Sequence, residues 1–327
     1  MDLRSRTPAA RDVRPCRGFV ITTLTPNPSF DRTLRVSALE RGEVHRASLV
    51  RVECAGKGVN VARALAVNEH PARAVFPAND EDFAAFDAAL AATGVMSHAV
   101  RIRGSIRSNI TVVEPDGTTT KINEPGPELN AAEAAELLRA AVTGSDWLIA
   151  SGSLAPRTPT DFYAQLAASL PDAAQRLAVD SSGQPLQQLV GTPCAVVKPN
   201  LIELANLTRR CMSTVGDVVE AARDLRDRGW GSVLVSLGRF GAVLVSDEVS
   251  YGTVSATDVR NTVGAGDALL AGFIAAGGRG VPALAEGLAW ASAAVRSVGT
   301  AGARVSLDDR RAVVVSQCVP RDLPVGE

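Results

Sequence analysis

Aromatic side chains make up only 4% of this 327-residue chain, and its histidines are just three, His45, His70 and His98. Alanine, valine and leucine must therefore do most of the packing within a hydrophobic content of 46%. The histidines are too dispersed to suggest a metal cluster. The five cysteines, Cys16, Cys54, Cys194, Cys211 and Cys318, show no CxxC spacing. That argues against a zinc site or a disulfide framework and fits free thiols in a reducing, cytoplasmic compartment. Neither charge dominates: Lys+Arg is 34, Asp+Glu is 35, and the net charge is -1. Such a balance gives no support for non-specific binding to nucleic acid or to a membrane. No apolar run is long and uninterrupted enough to span a bilayer. Residues 1–17 hold Arg4, Arg6, Arg11, Arg14 and Arg17 but lack the apolar run of a signal peptide, and read as a disordered tail. No GxGxxG follows the first strand, which argues against a dinucleotide-dependent oxidoreductase.

What is present is alternation. At ~100–200 residues per domain the length allows one large domain, alone or with a smaller partner. Apolar runs such as Phe19–Leu24, Arg73–Phe76, Trp147–Ala150, Leu177–Val179, Ala195–Val197 and Val233–Leu237 read as strands. Between them, Val59–Val67, Asp82–Ala92, Ala131–Val142, Asp161–Ser169, Leu201–Thr208 and Val215–Arg228 read as helices. Short strands follow from Ala242 to Val259, then helices at Ala265–Ala276 and Ala283–Val295. This order predicts a mostly parallel sheet covered by helices. Two β-rich stretches, near Asp31–Val52 and Arg101–Asn123, interrupt it. They suggest a small β-sheet lid, a device that can exclude water during group transfer.

Glycine-rich turns close several predicted strands: "AGKGVN", "SGSLAP", "VKPNLIEL", "SLGRFGA" and "NTVGAGD". Ligands of open α/β sheets bind beyond the carboxyl ends of strands, so these turns can share one crevice. In "GAGD", Gly264 and Gly266 permit a sharp turn and Asp267 falls at the start of a helix. Asp267 is then either a simple cap or a proton acceptor beside a phosphate held by helix N–H groups.

Taken in order, the motifs resemble the ribokinase-like (PfkB-type) carbohydrate kinase family over roughly Phe19 to Thr300. "TPNPSFDRTL", "AGKGVNVARAL", "IRSNITVVEPDG" and "KINEPGP" are most similar to its 1-phosphofructokinase branch, and the tagatose-6-phosphate kinases are close to it. The resemblance implies a three-layer αβα core, residues 18–30, 53–100 and 124–327, with a β-sheet lid from 31–52 and 101–123. It implies ATP-dependent phosphorylation of fructose 1-phosphate to fructose 1,6-bisphosphate. Tagatose 6-phosphate or fructose 6-phosphate is the alternative acceptor, and a weakly active sugar-phosphate-binding homologue is a further reading. By motif, Asp267 would be the general base and Gly264, Ala265 and Gly266 the anion hole. Asp31, Gly56, Lys57, Asn60, Arg107 and Asn109 would hold the sugar phosphate. Lys198, Asn200, Ser236, Leu237, Gly238 and Gly241 would hold ATP, and Glu203 would reach Mg²⁺ through water. A homodimer through the lid is also implied.

Each residue has a plainer reading beside this one. Asp31 could belong to a turn, Lys57 and Arg107 to a solvated surface, and Glu203 to a helix face. The sequence also departs from the family's pattern. Ala55 takes the first position of a "GGKG" motif, where a positive φ would strain it. Arg157 stands where glycine is common, and Arg239 and Phe240 replace smaller or polar residues. No glycine lies between Gly58 and Gly94, so the turn after Arg73–Phe76, "PANDEDF", is glycine-free.

Overall fold

The computed structural model describes residues 20–255, 259–297, 299 and 302–326. The expected tail at 1–17, with Cys16, lies outside the described residues. The strands, in chain order, are β1 (Ile21–Leu24), β2 (Ser29–Arg35), β3 (Leu49–Ala55), β4 (Ala72–Ala78), β5 (Met96–Arg101), β6 (Arg107–Val113), β7 (Thr119–Asn123), β8 (Trp147–Ser151), β9 (Leu177–Asp180), β10 (Cys194–Val197), β11 (Trp230–Ser236), β12 (Ala242–Val245), β13 (Val249–Val254) and β14 (Val313–Ser316). The helices are α1 (Lys57–Val67), α2 (Asp80–Ala91), α3 (Ala131–Val142), α4 (Phe162–Ala168), α5 (Ala173–Arg176), α6 (Gly183–Gln188), α7 (Leu201–Thr208), α8 (Val215–Asp227), α9 (Ala265–Ala275), α10 (Gly280–Arg296) and α11 (Leu307–Arg311).

Among the described residues, ten strands form one sheet in the order β14-β13-β12-β11-β10-β9-β8-β1-β4-β5. From β11 to β5 the neighbours pair in parallel, while β12, β13 and β14 continue antiparallel. Alternation along these strands splits the core in two. Leu148, Ala150, Leu177, Val179, Val233 and Val235 face one layer with Leu137, Phe162 and Val218 of α3, α4 and α8. Trp147, Ile149, Ala178 and Leu234 face the other with Val59, Phe86, Leu269 and Leu284 of α1, α2, α9 and α10. Period-two strands buried on both faces produce the expected αβα sandwich. Among the described residues no helix is long and apolar enough to cross a membrane, and Cys54, Cys194, Cys211 and Cys318 are free thiols.

The second sheet has the order β3-β2-β6-β7. β2 starts at Ser29, well before the predicted Leu34. The turn therefore ends at Pro28, and Asp31 is a strand residue opposite Asn109. α1 starts at Lys57, straight after Gly56, rather than at Val59. α10 starts at Gly280, with Pro282 in its first turn, where a missing N–H costs no helical bond. The backbone strain expected at Ala55 is found elsewhere. Ala55 ends β3 in extended backbone and is not among the residues of positive φ, whereas Arg157 has φ 63. The strain thus falls on the arginine.

α9 and α10 cross at very close range. A Cβ added to Gly272 would lie 2.7 Å from Trp290 Cγ and 2.9 Å from the Glu286 carbonyl oxygen. Alanine normally gains ~1 kcal/mol over glycine inside a helix. Here overpacking should outweigh that gain, and Gly272→Ala should lower stability by about 1–3 kcal/mol in urea unfolding. An unchanged or raised midpoint would mean that Trp290 moves aside freely.

Candidate active site

The chain runs outward from β1 to β4 and β5 on one side, then from β8 through β11 on the other. The order therefore reverses between β1 and β8, the position where open α/β sheets form their ligand crevice. The strand ends around that point carry the polar motifs. Gly152 follows β8, Asp180 ends β9, Lys198 follows β10 and Ser236 ends β11.

Asp180 is the centre of this group. It is 1% exposed, and Lys57 Nζ donates to its Oδ1 at 2.8 Å while Lys198 Nζ lies 3.1 Å from its Oδ2. Lys57 is the first residue of α1, and Lys198 is 3% exposed just beyond β10. Burial alone would raise the Asp180 pKa; the ammonium groups of Lys198 and Lys57 reverse that and hold it below the ordinary value. Burial would likewise lower that of Lys57, but Asp180, Asp267 and Glu203 lift it above the lysine range.

Asp267 is the third residue of α9, after Gly264 at the N-cap. Gly264 has φ 82, a left-handed conformation suited to glycine. Ala265 and Gly266 form the first turn, whose N–H groups have no partner within the helix; Ala265 N reaches only the Thr262 carbonyl, at 3.4 Å. A Cβ at Gly266 would sit 3.4 Å from Lys198 Nζ. The bare glycine thus leaves a small cradle between helix N–H groups and an ammonium group, a setting that fits a phosphate. Asp267 is 7% exposed and its Oδ2 accepts from Asn60 Nδ2 at 2.9 Å. Burial raises its pKa, the Asp180 carboxylate adds to the rise, and Lys57, Asn60 and Lys198 pull it back. The balance is about 6. Asp267 can therefore exchange a proton near neutral pH.

A second group lies at the junction of the sheets. Asp31 Oδ1 accepts from Ser29 Oγ at 2.8 Å and from Asn109 Nδ2 at 3.0 Å. Arg107 opens β6 opposite Ser29. Its Nη1 donates to the Glu124 carbonyl at 3.2 Å and its Nη2 to the Asn27 carbonyl at 3.3 Å, with Ser153 Oγ at 3.5 Å. It makes no ion pair among the described residues, and burial depresses its pKa against the opposing pull of Asp31. The buried atoms Asn60 Oδ1, Asn109 Oδ1 and Arg107 Nε also have no hydrogen-bond partner among the described residues. Two acceptors and a cationic donor are thus available to a hydroxylated anion.

The residues assigned to ATP follow β10 and β11. Asn200 caps α7: its Oδ1 accepts from Glu203 N at 2.8 Å, and Glu203 Oε2 accepts from Asn200 N at 2.8 Å. Asn200 also bridges to Ser236. Leu237 is buried, and Gly238 opens a tight turn with nothing within 4 Å of an added Cβ. Gly241 is explained by packing, since a Cβ there would fall 2.0 Å from the Gly252 carbonyl oxygen. Gly56 is the N-cap of α1. Among the described residues no three His, Cys, Asp or Glu gather as a metal cage. Mg²⁺ keeps several waters and needs few carboxylates, so a single Glu203 in electrostatic reach of Lys57 fits a metal carried by phosphates.

Sequence reasoning missed Asp180, Ser29 and Asn27. For Asp180 a signal existed: it ends an apolar run, "LAVD", just before "SSG", in the same place as the turns that were recognised.

The chain is similar to known proteins over most of its length. The pfkB family of carbohydrate kinases matches residues 25–306. The chain is 38% identical to a 1-phosphofructokinase of Haloferax volcanii, covering 88% of this chain and 93% of that protein. It is 35% identical to a 1-phosphofructokinase of Rhodobacter capsulatus, covering 93% and 98%. The tetrameric inhibited form of phosphofructokinase-2 from Escherichia coli superposes with a TM-score of 0.78 at 30% identity, covering 90% of this chain and 97% of that one. The chain belongs to the pfkB family of carbohydrate kinases.

Proposed function

We propose that this kinase transfers a phosphoryl group from ATP to fructose 1-phosphate, giving fructose 1,6-bisphosphate and ADP. The observation that carries the proposal is Arg107, a partly buried guanidinium that makes no ion pair among the described residues, set beside the Asp31–Asn109 pair. Such a cation suits an acceptor that already bears a phosphate. The names of the two relatives point to the same sugar.

In this reading Asn109, Asp31 and Asn60 orient the sugar. Asp267 takes the proton of the attacking hydroxyl as its oxygen bonds to phosphorus and the bond to the ADP oxygen breaks. The first-turn N–H groups of α9, with Lys57 and Lys198, neutralise the transferring group. Lys198, Asn200 and the Ser236–Gly241 turn would hold ATP, and Glu203 would reach the metal through water. Bound Mg²⁺ would supply further neutralisation of phosphate charge. The four-stranded sheet would serve as the lid; its strands reach beyond the expected 31–52 at both ends, to Ser29 and Ala55, and begin inside the expected 101–123, at Arg107.

We also propose that two copies meet through that sheet. Leu34, Val50, Val52, Ile110 and Ile122 share one of its faces, and Val50, Val52 and Ile122 are exposed. An exposed apolar patch on a symmetric contact suits a second copy of the same chain, and self-association is a property of the solved relative. Val52→Asp should shift sedimentation toward the monomer. A wild-type chain that sediments as a monomer at micromolar concentration would reject the contact.

Asp267→Asn should keep the fold, because the amide oxygen can still accept from Asn60, and should cut turnover at least ~10²-fold. Protonated Asp267 cannot accept a proton, so wild-type kcat/KM should rise with pH through about 6. That limb should be absent from the residual activity of Asp267→Asn. Near wild-type turnover in the variant, or a limb that persists there, would remove Asp267 from the base role.

Arg107→Ala should raise the sugar-phosphate KM roughly 10- to 100-fold, the equivalent of about 1.5–3 kcal/mol for a hydrogen bond to a charged group. The ATP KM should change little. In a coupled ADP-release assay fructose 1-phosphate should give the highest kcat/KM among fructose 1-phosphate, fructose 6-phosphate and tagatose 6-phosphate. A preference for either 6-phosphate would overturn the acceptor and leave the kinase assignment standing.

A further inference from the structure

The glycine-free turn after β4 has a use that the reaction outlined above does not touch. Asn79 caps α2, and its Oδ1 accepts from Asp82 N at 2.8 Å. The other end of the same amide, Nδ2, donates to Ser105 Oγ at 3.2 Å. Asp82 Oδ2 accepts from the backbone N–H of Ile106 at 2.7 Å. Ile106 is 6% exposed and immediately precedes Arg107. The same turn holds the chain further back: Ile102 N donates to the Ala78 carbonyl at 3.1 Å, Asp80 pairs with Arg101 at 2.7 Å, and the Arg101 guanidinium stands 4.6 Å from the centre of the Phe83 ring. Polar side chains in "NDED" therefore grip the segment 101–106 instead of pointing free into the crevice.

Arg107 needs such support. Its own contacts are neutral carbonyls and a hydroxyl at 3.2 to 3.5 Å, which fix a long guanidinium poorly. Its placement is then set largely by where β6 begins. Two charge-assisted bonds of 2.7 Å flank it, one from the Ile106 amide to Asp82 and one from the Ser108 amide to Glu124, and the first is the one that comes from outside the small sheet. We infer that Asp82 is a positioning residue for the sugar-phosphate site, acting through the Ile106 backbone to aim Arg107. The inference rests on the reading of Arg107 as the holder of the acceptor's phosphate.

The test is a thermodynamic cycle on the full-length enzyme with fructose 1-phosphate and ATP. A displacement of about 1 Å can cost up to ~10²-fold; Asp82→Ala should raise the sugar-phosphate KM at least ~5-fold, with kcat and the ATP KM within ~2-fold. Asp82→Asn should restore KM, because its amide oxygen can still accept from Ile106. In an Arg107→Ala background, Asp82→Ala should add no further rise, as expected for two residues acting as one unit. If Asp82→Ala fails to fold, Asp82→Ser, too short to reach the amide, takes its place in the cycle. An unchanged KM, an equal loss in ATP KM, or a full additive effect in the Arg107→Ala background would overturn the inference while Arg107→Ala alone still raises KM. A sugar-phosphate KM unmoved by Arg107→Ala would instead reject the reading of Arg107 itself.

Discussion

One buried carboxylate shared by two ammonium groups organises the crevice. Asp180 could not remain ionised at 1% exposure without Lys57 and Lys198. The dependence is mutual. Lys57 is the first residue of α1, at the positive end of a helix dipole, where a cation is disfavoured. Only a nearby carboxylate makes that position tenable. Buried ion pairs contribute little net stability, yet removing one partner typically costs ~3–5 kcal/mol because a bare charge is left behind. The cluster is thus better understood as a device for location. It ties the start of α1, the end of β9 and the exit of β10 to one point.

The topology makes that point useful. α1 follows β3 with only Gly56 between them, so the small sheet connects almost directly to the helix that carries Lys57 and Asn60. Asn60 in turn bonds Asp267 on α9. The junction with β6 comes from the other side of the small sheet, through Asp31 and Asn109. A shift of that sheet would therefore act on both the Asp31–Asn109 pair and the start of α1. This coupling follows from chain connectivity and needs no separate relay.

Much of the fold was legible because its signals are local. Apolar runs separated by glycine turns marked the parallel strands, and "GAGD" marked the start of α9 from the backbone freedom of Gly264. The links that make the site are not local. Asp180 meets Lys57 across 123 residues, and Asn60 meets Asp267 across 207; no periodicity reports such pairs. Asp31 was open to a turn reading because Pro28 and Ser29 precede it, but pairing with Asn109 draws it into β2. Asn200 and Glu203, ligand candidates by motif, also form a capping box, and its three-residue spacing is present in the sequence. In the sequence the glycine-free turn after β4 is a departure from the family's pattern. Its side chains proved to be engaged with residues 101–106, which sequence order alone does not bring next to it.

Charge accounting across the crevice separates the tasks of its cations. Leaving aside Glu203, which is read as serving the metal, Lys57, Lys198 and Arg107 stand against Asp180, Asp267 and Asp31, so this part of the site is close to neutral when all are ionised. Two of the three cations are already committed to Asp180. Of these three, Arg107 alone makes no ion pair among the described residues. A neutral site avoids accumulating like charges in a buried place, but it leaves little free positive charge for the two phosphorylated substrates of the proposed reaction. The deficit must be met by groups that bring no counter-charge of their own. In that reaction the N–H groups at the start of α9 would be one such source and a metal accompanying ATP another. In the proposed reaction this leaves Arg107 for the phosphate that stays on the sugar, and the helix terminus with the metal for the phosphoryl group that moves.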